Sequence, residues 1–193
     1  MLGMKKNFTI FHTITIILTL LGLDQLTKYI TKTNMMLGES IHIIDNFFRL
    51  TYVENPGMAF GLRIENTTLF MGLSLIAAGL VFYYLYILRN EVWQLQFAIA
   101  MIASGAIGNL SDRFIRGSVV DFLDFEFFDV AIPAFNFLGF EFSGYYMTRW
   151  PVFNVADMAV SGGMILIFGY ILLKGDPLNK SVKEPTETTP HAG

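Results

Sequence analysis

The chain contains no cysteine and only three histidines, and each shortage excludes a class of site. Without cysteine there is no disulfide, no thiolate metal site and no cysteine nucleophile. The histidines are His12, His42 and His191, and they form no H-E-x-x-H pair, which argues against a zinc protease of that type. A serine–histidine hydrolase would need His12 or His42, but neither lies near a G-x-S-x-G turn.

Charged residues are also scarce. Asp, Glu, Lys and Arg make up 15% of the 193 residues, and the formal net charge is -3, so there is no basic surface for nucleic acid. Hydrophobic residues, by contrast, make up 53% of the chain. Soluble domains have roughly 45–50% apolar residues. The composition therefore predicts a membrane protein.

Four apolar runs approach the roughly 20 residues that a helix needs to cross a bilayer. We predict one domain at residues 1–173, with transmembrane helices at about residues 8–30, 69–88, 93–113 and 155–173. The first run has the alternative reading of a signal peptide, since Lys5 and Lys6 precede it, but no small-x-small cleavage site follows. Residues 174–193 are polar and predict a disordered tail.

Two segments between the helices have strand patterns. Residues 48–54 alternate polar and apolar side chains and contain β-branched and aromatic residues. Residues 118–128 are again rich in Val and Phe. Residues 130–151 are aromatic and contain glycine but no long apolar run, so we interpret them as a loop at the membrane interface.

Four crossings that alternate in direction place the polar clusters on one side of the membrane. The ends of helices 1 and 3, the start of helix 4 and the segments 31–66 and 111–154 face that side, together with twelve of the sixteen acids. Lys and Arg number seven on this side and six on the other. The positive-inside rule therefore does not decide which side is cytoplasmic.

Two aspartates at the edges of apolar segments, Asp121 and Asp157, are the main candidates for chemistry. A charge at membrane depth costs about 3 kcal/mol on insertion scales, so such an acid indicates a functional site. Two carboxyl groups in a dry site repel each other, so that one holds a proton and the pair supplies both an acid and a base. Alternatively, Asp157 is a capping acid three residues after an N-cap at Asn154, and Asp121 is a solvated loop acid.

Other polar residues fall at the same ends of the predicted helices. Asp24 and Lys28 have the spacing of an ion pair on one helix face, either as support for a site or as a local helix-end pair. Small residues at 103–108 allow another helix to pack closely in lipid. Packing does not explain the polar residues that share a helix face with Gly105, which are Asn109, Asp112 and Arg113.

Five blocks, in order along the chain, make it resemble lipoprotein signal peptidase, also called signal peptidase II. They are residues 24–28 (Asp-Gln-Leu-Thr-Lys), 55–60 (Asn-Pro-Gly-Met-Ala-Phe), 105–113 (Gly-Ala-Ile-Gly-Asn-Leu-Ser-Asp-Arg), 119–122 (Val-Val-Asp-Phe) and 153–157 (Phe-Asn-Val-Ala-Asp). The likeness spans roughly residues 20–170. The resemblance implies an all-α membrane protein with four transmembrane helices and a small extracytoplasmic β-cradle. It also implies the bacterial inner membrane, both termini and the tail in the cytoplasm, and a site near the outer leaflet.

The activity that the resemblance implies is that of an aspartic endopeptidase. It would remove the signal peptide from prolipoproteins, cutting just before a cysteine that already carries diacylglyceryl. The resemblance assigns the catalytic dyad to Asp121 and Asp157; Asp124 is an alternative to Asp121, but Val-Val-Asp-Phe is the better match. The supporting residues that carry over are Asp24, Lys28, Asn55, Gly105, Asn109, Asp112, Arg113 and Asn154. We expect prolipoprotein substrates and membrane lipid as partners, no nucleic acid, no metal or other cofactor, and a monomer.

One departure and two alternatives stay open at this point. Between Asp121 and Asp157 lie 35 residues, more than the resemblance leads us to expect, and the excess around 130–150 would cover the site, bind lipid or shape substrate choice. A transporter or channel would use the same charges as a relay, but helices 2 and 4 carry no charge in their middles. A structural scaffold predicts that losing either aspartate weakens folding without abolishing a specific reaction.

Overall fold

The computed structural model describes residues 8–59, 62–63, 67–137 and 140–175. These residues contain four long helices, each overlapping one predicted apolar run: α1 Ile10–Asn34, α2 Thr67–Ile87, α3 Trp93–Arg116 and α4 Val155–Lys174. A short 3-10 helix, Leu88–Asn90, follows α2. Lys174 ends α4, and the predicted tail after Gly175 lies outside the described residues, as do Lys5 and Lys6.

Three helical segments are long and apolar enough to cross a membrane. They are Ile10–Asn34, Met71–Asn90 and Val155–Lys174, with mean hydropathies of 1.5, 1.9 and 1.8. The described part of the chain therefore shows three such segments, whereas four were predicted. The helix that does not qualify is α3, because its sequence contains polar residues such as Gln94, Gln96 and Asn109.

The position of α3 explains its polarity. It lies at the centre of the bundle and contacts α1, α2 and α4. Buried side chains of α3 include Gln96, Ser104 and Asp112, whereas many large apolar side chains of the other three helices are exposed. Because three apolar helices surround it, α3 can carry polar residues into the bundle.

Helices α3 and α4 pack closely at glycines. A Cβ atom on Gly105 would collide with the backbone of Ala156, and one on Gly163 would lie 2.6 Å from the carbonyl oxygen of Ala98. Glycine at such points lets two helix backbones approach each other in a membrane protein. The contact confirms the close packing predicted for the small residues of α3. It also fixes the position of the first turn of α4 along the axis of α3.

The strands that the structure describes are short. They are β1 Ser40–Ile44, β2 Phe48–Asn55, β3 Met58–Ala59, β4 Leu62–Arg63, β5 Val119–Phe125, β6 Val130–Ile132, β7 Phe135–Phe137, β8 Phe140–Phe142 and β9 Tyr145–Met147. An antiparallel sheet has the order β1-β2-β5. Its strands β2 and β5 coincide with the two predicted strand segments. The pairing of β2 with β5 has an irregularity between Leu50 and Val53, and beyond it Val53 lies opposite Asp121.

The aromatic segment after β5 is not the loop that was predicted. Strand β6 pairs with β9, and β7 pairs with β8 between them in sequence, so that these four strands form two nested antiparallel pairs. Each strand has only three residues. Alternation over three residues is too short to be recognised as a strand in sequence, and the pairing depends on contacts that the sequence does not display. The prediction of a loop was wrong for this reason.

Candidate active site

Helix α4 begins with a cap that also positions a candidate residue. Asn154 is the N-cap, and its Oδ1 accepts a hydrogen bond from the backbone N–H of Asp157 at 2.9 Å. In return, Oδ2 of Asp157 accepts from the backbone N–H of Asn154 at 3.2 Å. This reciprocal arrangement is a capping box and confirms the predicted cap. Asp157 therefore has a structural role at the positive end of the helix in addition to any chemical one.

Strand β5 brings Asp121 to the same place. Asp121 lies in β5 and its side chain is buried. Leu123 of β5 and Phe153, the residue before the cap, exchange both backbone hydrogen bonds, at 2.8 and 3.0 Å. This pairing holds the start of α4 beside β5, and the Nδ2 of Asn154 donates to Oδ1 of Asp121 at 2.7 Å. Asn154 thus links the two aspartates directly.

Two further asparagines reach the aspartates from other elements. Asn55, at the end of β2, donates from Nδ2 to Oδ2 of Asp121 at 3.1 Å. Asn109 of α3 donates from Nδ2 to Oδ1 of Asp157 at 2.7 Å. With the two bonds from Asn154, each of the four carboxyl oxygens accepts one hydrogen bond from a neutral amide N–H group.

The other partners of these asparagines fix the direction in which each amide points. Oδ1 of Asn109 accepts from the Lys28 ammonium at 3.0 Å. Oδ1 of Asn55 and Oδ1 of Asn154 each accept from a backbone N–H group. Ammonium and backbone N–H groups can only donate, so each amide must turn its oxygen to them and its NH2 group to an aspartate. The three amides are therefore held in one orientation around the pair.

Electrostatics favour a proton on this pair near neutral pH. The pKa of Asp121 is raised to about 7, chiefly by burial and also by the nearby charge of Asp157. The hydrogen bonds from Asn55 and Asn154 oppose this rise, and so does the charge of Lys28. Desolvation penalises the charged form of a carboxyl group, and a second carboxylate adds repulsion. Asp121 is therefore poised to exchange a proton in the neutral range.

A buried ionic cluster lies behind the aspartates and connects α1 with α3. The Lys28 ammonium contacts Oδ2 of Asp24 and Oδ2 of Asp112, both at 2.8 Å, and all three side chains are almost completely buried. Arg116 pairs with Oδ1 of Asp112 at 2.5 Å. The nearby Gln25 donates to Asp24 at 3.1 Å and to Asp112 at 3.2 Å. Gln25 and Arg116 were not predicted.

This cluster reaches the aspartates indirectly. Oδ1 of Asp24 accepts from the backbone N–H of Ala156, in the first turn of α4, at 2.9 Å. Lys28 acts through its hydrogen bond to Asn109. Asp112 binds Lys28, Arg116 and Gln25, so its carboxylate balances the positive charges of Lys28 and Arg116.

Two other predicted residues, Arg113 and Gly105, contact backbone groups of α3 and α4. Arg113 is half-buried on α3, and its NH1 donates to the backbone carbonyl of Asn109 at 3.2 Å. Gly105 contributes packing beneath Ala156. Asp124, the alternative to Asp121, receives hydrogen bonds from Thr51 at 2.6 Å and from Arg149 at 2.7 Å. The structure thus brings Asp121, and not Asp124, to the cap of α4.

The chain is similar to proteins of known family and to solved structures. The family model of signal peptidase (SPase) II matches residues 16–173. A lipoprotein signal peptidase of Moorella thermoacetica is 37% identical over 168 residues, which are 87% of this chain and 95% of that protein. A lipoprotein signal peptidase of Syntrophus aciditrophicus is 41% identical over 171 residues, 85% of this chain and 92% of that protein. A solved structure of a bacterial membrane enzyme is 30% identical, with a TM-score of 0.68, over 97% of this chain and all of that one.

Proposed function

Because the chain belongs to the signal peptidase II family, we propose that it is a membrane-embedded aspartic endopeptidase that cuts diacylglyceryl-modified prolipoproteins. The cut removes the signal peptide just before the lipidated cysteine. Family membership and the apolar helices together make the chain a protease of a bacterial membrane. The substrate class follows from the relatives, which are named lipoprotein signal peptidases.

One observation supports the aspartic mechanism above all: two carboxyl groups from different elements meet around a single bridging amide. Asn154 binds Asp121 through its side chain and Asp157 through its backbone and side chain. Each carboxyl oxygen has accepted one neutral donor, which leaves acceptor capacity for a shared proton and a water. Two carboxyl groups in such a site divide one proton between them and act as an acid and a base.

The reaction follows from this starting state. The ionised aspartate takes a proton from a water while the water oxygen attacks the carbonyl carbon of the scissile peptide bond. The protonated aspartate gives its proton to the carbonyl oxygen, which yields a neutral tetrahedral intermediate. Collapse of the intermediate breaks the C–N bond, one proton passes to the departing amine of the cysteine, and one remains on the pair. The two aspartates titrate as a coupled unit with two apparent pKa values.

The proposed placement in the membrane uses α3 as a fourth crossing. With 24 residues, α3 is about 36 Å long at 1.5 Å per residue, enough for the roughly 30 Å hydrocarbon layer. The ends of α1 and α3 and the start of α4 meet at Lys28, Asp112 and Ala156. An even number of crossings puts both termini on one side of the membrane and the aspartates on the other. The resemblance to the family implies that the side with the termini is the cytoplasm, so we propose that the aspartates lie near the outer leaflet. Since one chain supplies every group of the site, we propose a monomer.

The distribution of charge argues against a relay for ions or protons. The sequence of α2 contains no charged residue, and α4 has charged residues only at Asp157 and Lys174. A relay would need polar groups along the depth of the membrane. The buried ionic cluster instead lies at the end of the bundle where the aspartates meet, which suits a site reached from one leaflet.

The proposal is tested by cleavage of a purified, diacylglyceryl-modified prolipoprotein in detergent. We expect wild type to release the signal peptide, and Asp121→Asn and Asp157→Asn to release none above background while melting as folded proteins. Asp129→Asn is the matched control because Asp129 is an exposed carboxyl group after β5. Asn at 157 keeps an oxygen for the cap, so a loss of activity there is not a loss of the helix start. Cleavage by a folded Asp121→Asn or Asp157→Asn at the wild-type rate would disprove the dyad and favour a structural role.

A further inference from the structure

The segment between the two aspartates leaves the end of β5 and returns to the same end of β5. The backbone N–H of Trp150 donates to the carbonyl oxygen of Phe125, the last residue of β5, at 2.9 Å. Residues 150–153 then run beside β5, where Phe153 pairs with Leu123. The next residue is Asn154, the amide that links the aspartates. Whatever holds residues 149–153 against β5 therefore holds the cap of α4 against Asp121.

The guanidinium group of Arg149 binds several acceptors at the place where residues 149–153 return to β5. Arg149 donates from Nε to Oδ1 of Asp124 at 2.7 Å and from NH1 to Oε2 of Glu126 at 2.5 Å. It also donates from NH1 to the carbonyl oxygen of Asn46, between β1 and β2, at 2.7 Å, and from NH2 to the carbonyl oxygen of Asp124 at 3.2 Å. The planar fork of arginine suits such a set of acceptors, whereas lysine offers a single ammonium point.

The ion pair of Arg149 with Asp124 is largely buried, whereas the side chain of Glu126 is 41% exposed. The side chain of Arg149 is 19% exposed and that of Asp124 is 7% exposed. The second oxygen of Asp124 accepts from Thr51 of β2 at 2.6 Å. Arg149 thereby ties the re-entering chain to β5, and Asp124 ties β5 to β2. Charge-assisted hydrogen bonds of this kind are stronger than those between neutral groups.

Aromatic contacts also hold residues 150–153 against β5, but they do not fix which residues lie opposite each other. Phe125 stacks on Phe48 with ring centroids 4.5 Å apart and on Phe153 at 5.8 Å. Phe127 meets the edge of Trp150 at 6.3 Å. Apolar contacts hold segments together but tolerate sliding, whereas an ionic fork fixes which residues lie opposite each other.

From these contacts we propose that Arg149 is a positioning residue for the aspartate pair: it fixes residues 149–154 against β5, so that Asn154 bridges Asp121 and Asp157. This inference rests on the proposed function, since the reaction is the readout. The two are separable because wild-type cleavage tests the function, while the variants below test Arg149 only.

The test measures kcat, KM and the pH dependence of kcat/KM for Arg149→Ala on the lipidated prolipoprotein. We expect kcat to fall at least tenfold with KM within threefold, and the acidic limb of the profile to move to higher pH. Losing the Asn154 hydrogen bond raises the pKa of Asp121, whose charged neighbours are Asp157, Lys28 and Arg113. A merely structural role would lower the amount of folded enzyme and leave the pH profile where it was.

Two further variants keep the test decisive. Arg89→Ala is the matched control, because Arg89 follows α2 and contacts only Tyr86 among its described hydrogen-bond and ring partners. It should leave kcat, KM and the pH profile unchanged. If Arg149→Ala does not accumulate as folded protein, Arg149→Lys carries the test, with kcat reduced at least threefold and the same direction of pH shift. An active wild type together with a folded Arg149 variant that matches it in kcat and pH profile would overturn the inference.

Discussion

Replacing Lys28 with methionine tests whether the buried ionic cluster holds the site together. The Lys28 ammonium has no solvent exposure and lies 2.8 Å from Asp24, 2.8 Å from Asp112 and 3.0 Å from Asn109. Methionine keeps most of the side-chain volume but none of the charge, so the two carboxylates lose the cation that they share. Arg116 remains beside Asp112, but Asp24 loses its ion pair.

The size of the effect follows from burial. Breaking a buried ion pair by removing one partner costs about 3–5 kcal/mol, because a buried charge is left uncompensated. For a chain of this size 1 kcal/mol corresponds to about 2–4 °C, so we expect a fall in melting temperature on the order of 10 °C. The measurement is thermal unfolding of the purified protein in detergent at pH 7.

Lys32→Met is a control on the same helix. Lys32 lies one turn after Lys28 and pairs with Glu54 at 2.8 Å, but these side chains are 44% and 31% exposed. Exposed ion pairs contribute about 0–1 kcal/mol, so this variant should melt within about 3 °C of wild type. Equal melting of wild type and Lys28→Met, or an equal fall in both variants, would refute the role of burial.

Two more substitutions test the electrostatics of Asp121 and the packing beneath Asp157. The folded-state pKa of Asp121, about 7, exceeds its ordinary value of about 3.9, so ionisation removes up to about 4 kcal/mol of stability as pH rises from 4 through 7. Wild type should therefore lose more melting temperature between pH 5 and pH 8 than Asp121→Asn, and parallel curves would contradict this. Gly105→Ala should destabilise by about 1–3 kcal/mol because its Cβ collides with α4. Gly22→Ala, which meets nothing within 4 Å, should be neutral or stabilise by up to about 1 kcal/mol in the same melts, and equal effects of the two would argue against close packing.

Local spacing and capping rules accounted for much of the site. The i, i+4 spacing of Asp24 and Lys28 gave an ion pair, and Asn154 gave the cap of α4. These features depend on neighbours within one helix turn, which a sequence displays directly. The role of Lys28 toward Asn109 was not visible, because it depends on how α1 packs against α3.

The Arg149 contacts were missed for a similar reason, although the sequence held a signal. Arg149 is the single Lys or Arg between residues 117 and 173, in a stretch that contains Asp124, Glu126 and Asp129. A lone cation among acids indicates an ion pair, but which acid it meets depends on how the insertion closes. The insertion was predicted as a loop because three-residue strands are defined by their partners and not by their own pattern.

The action of Asp121 and Asp157 as one unit is the feature on which the proposed reaction depends. It is tested most directly by single-turnover cleavage of a diacylglyceryl-modified prolipoprotein by wild type, Asp121→Asn, Asp157→Asn and the double variant, each verified as folded by its melting curve. We expect each single variant to lose about 10³-fold or more in rate. The double variant should be no slower than the slower of the two single variants, because either loss disables the whole pair. Cleavage above about a tenth of the wild-type rate by either single variant, or a double variant whose loss is the product of the two single losses, would contradict the account.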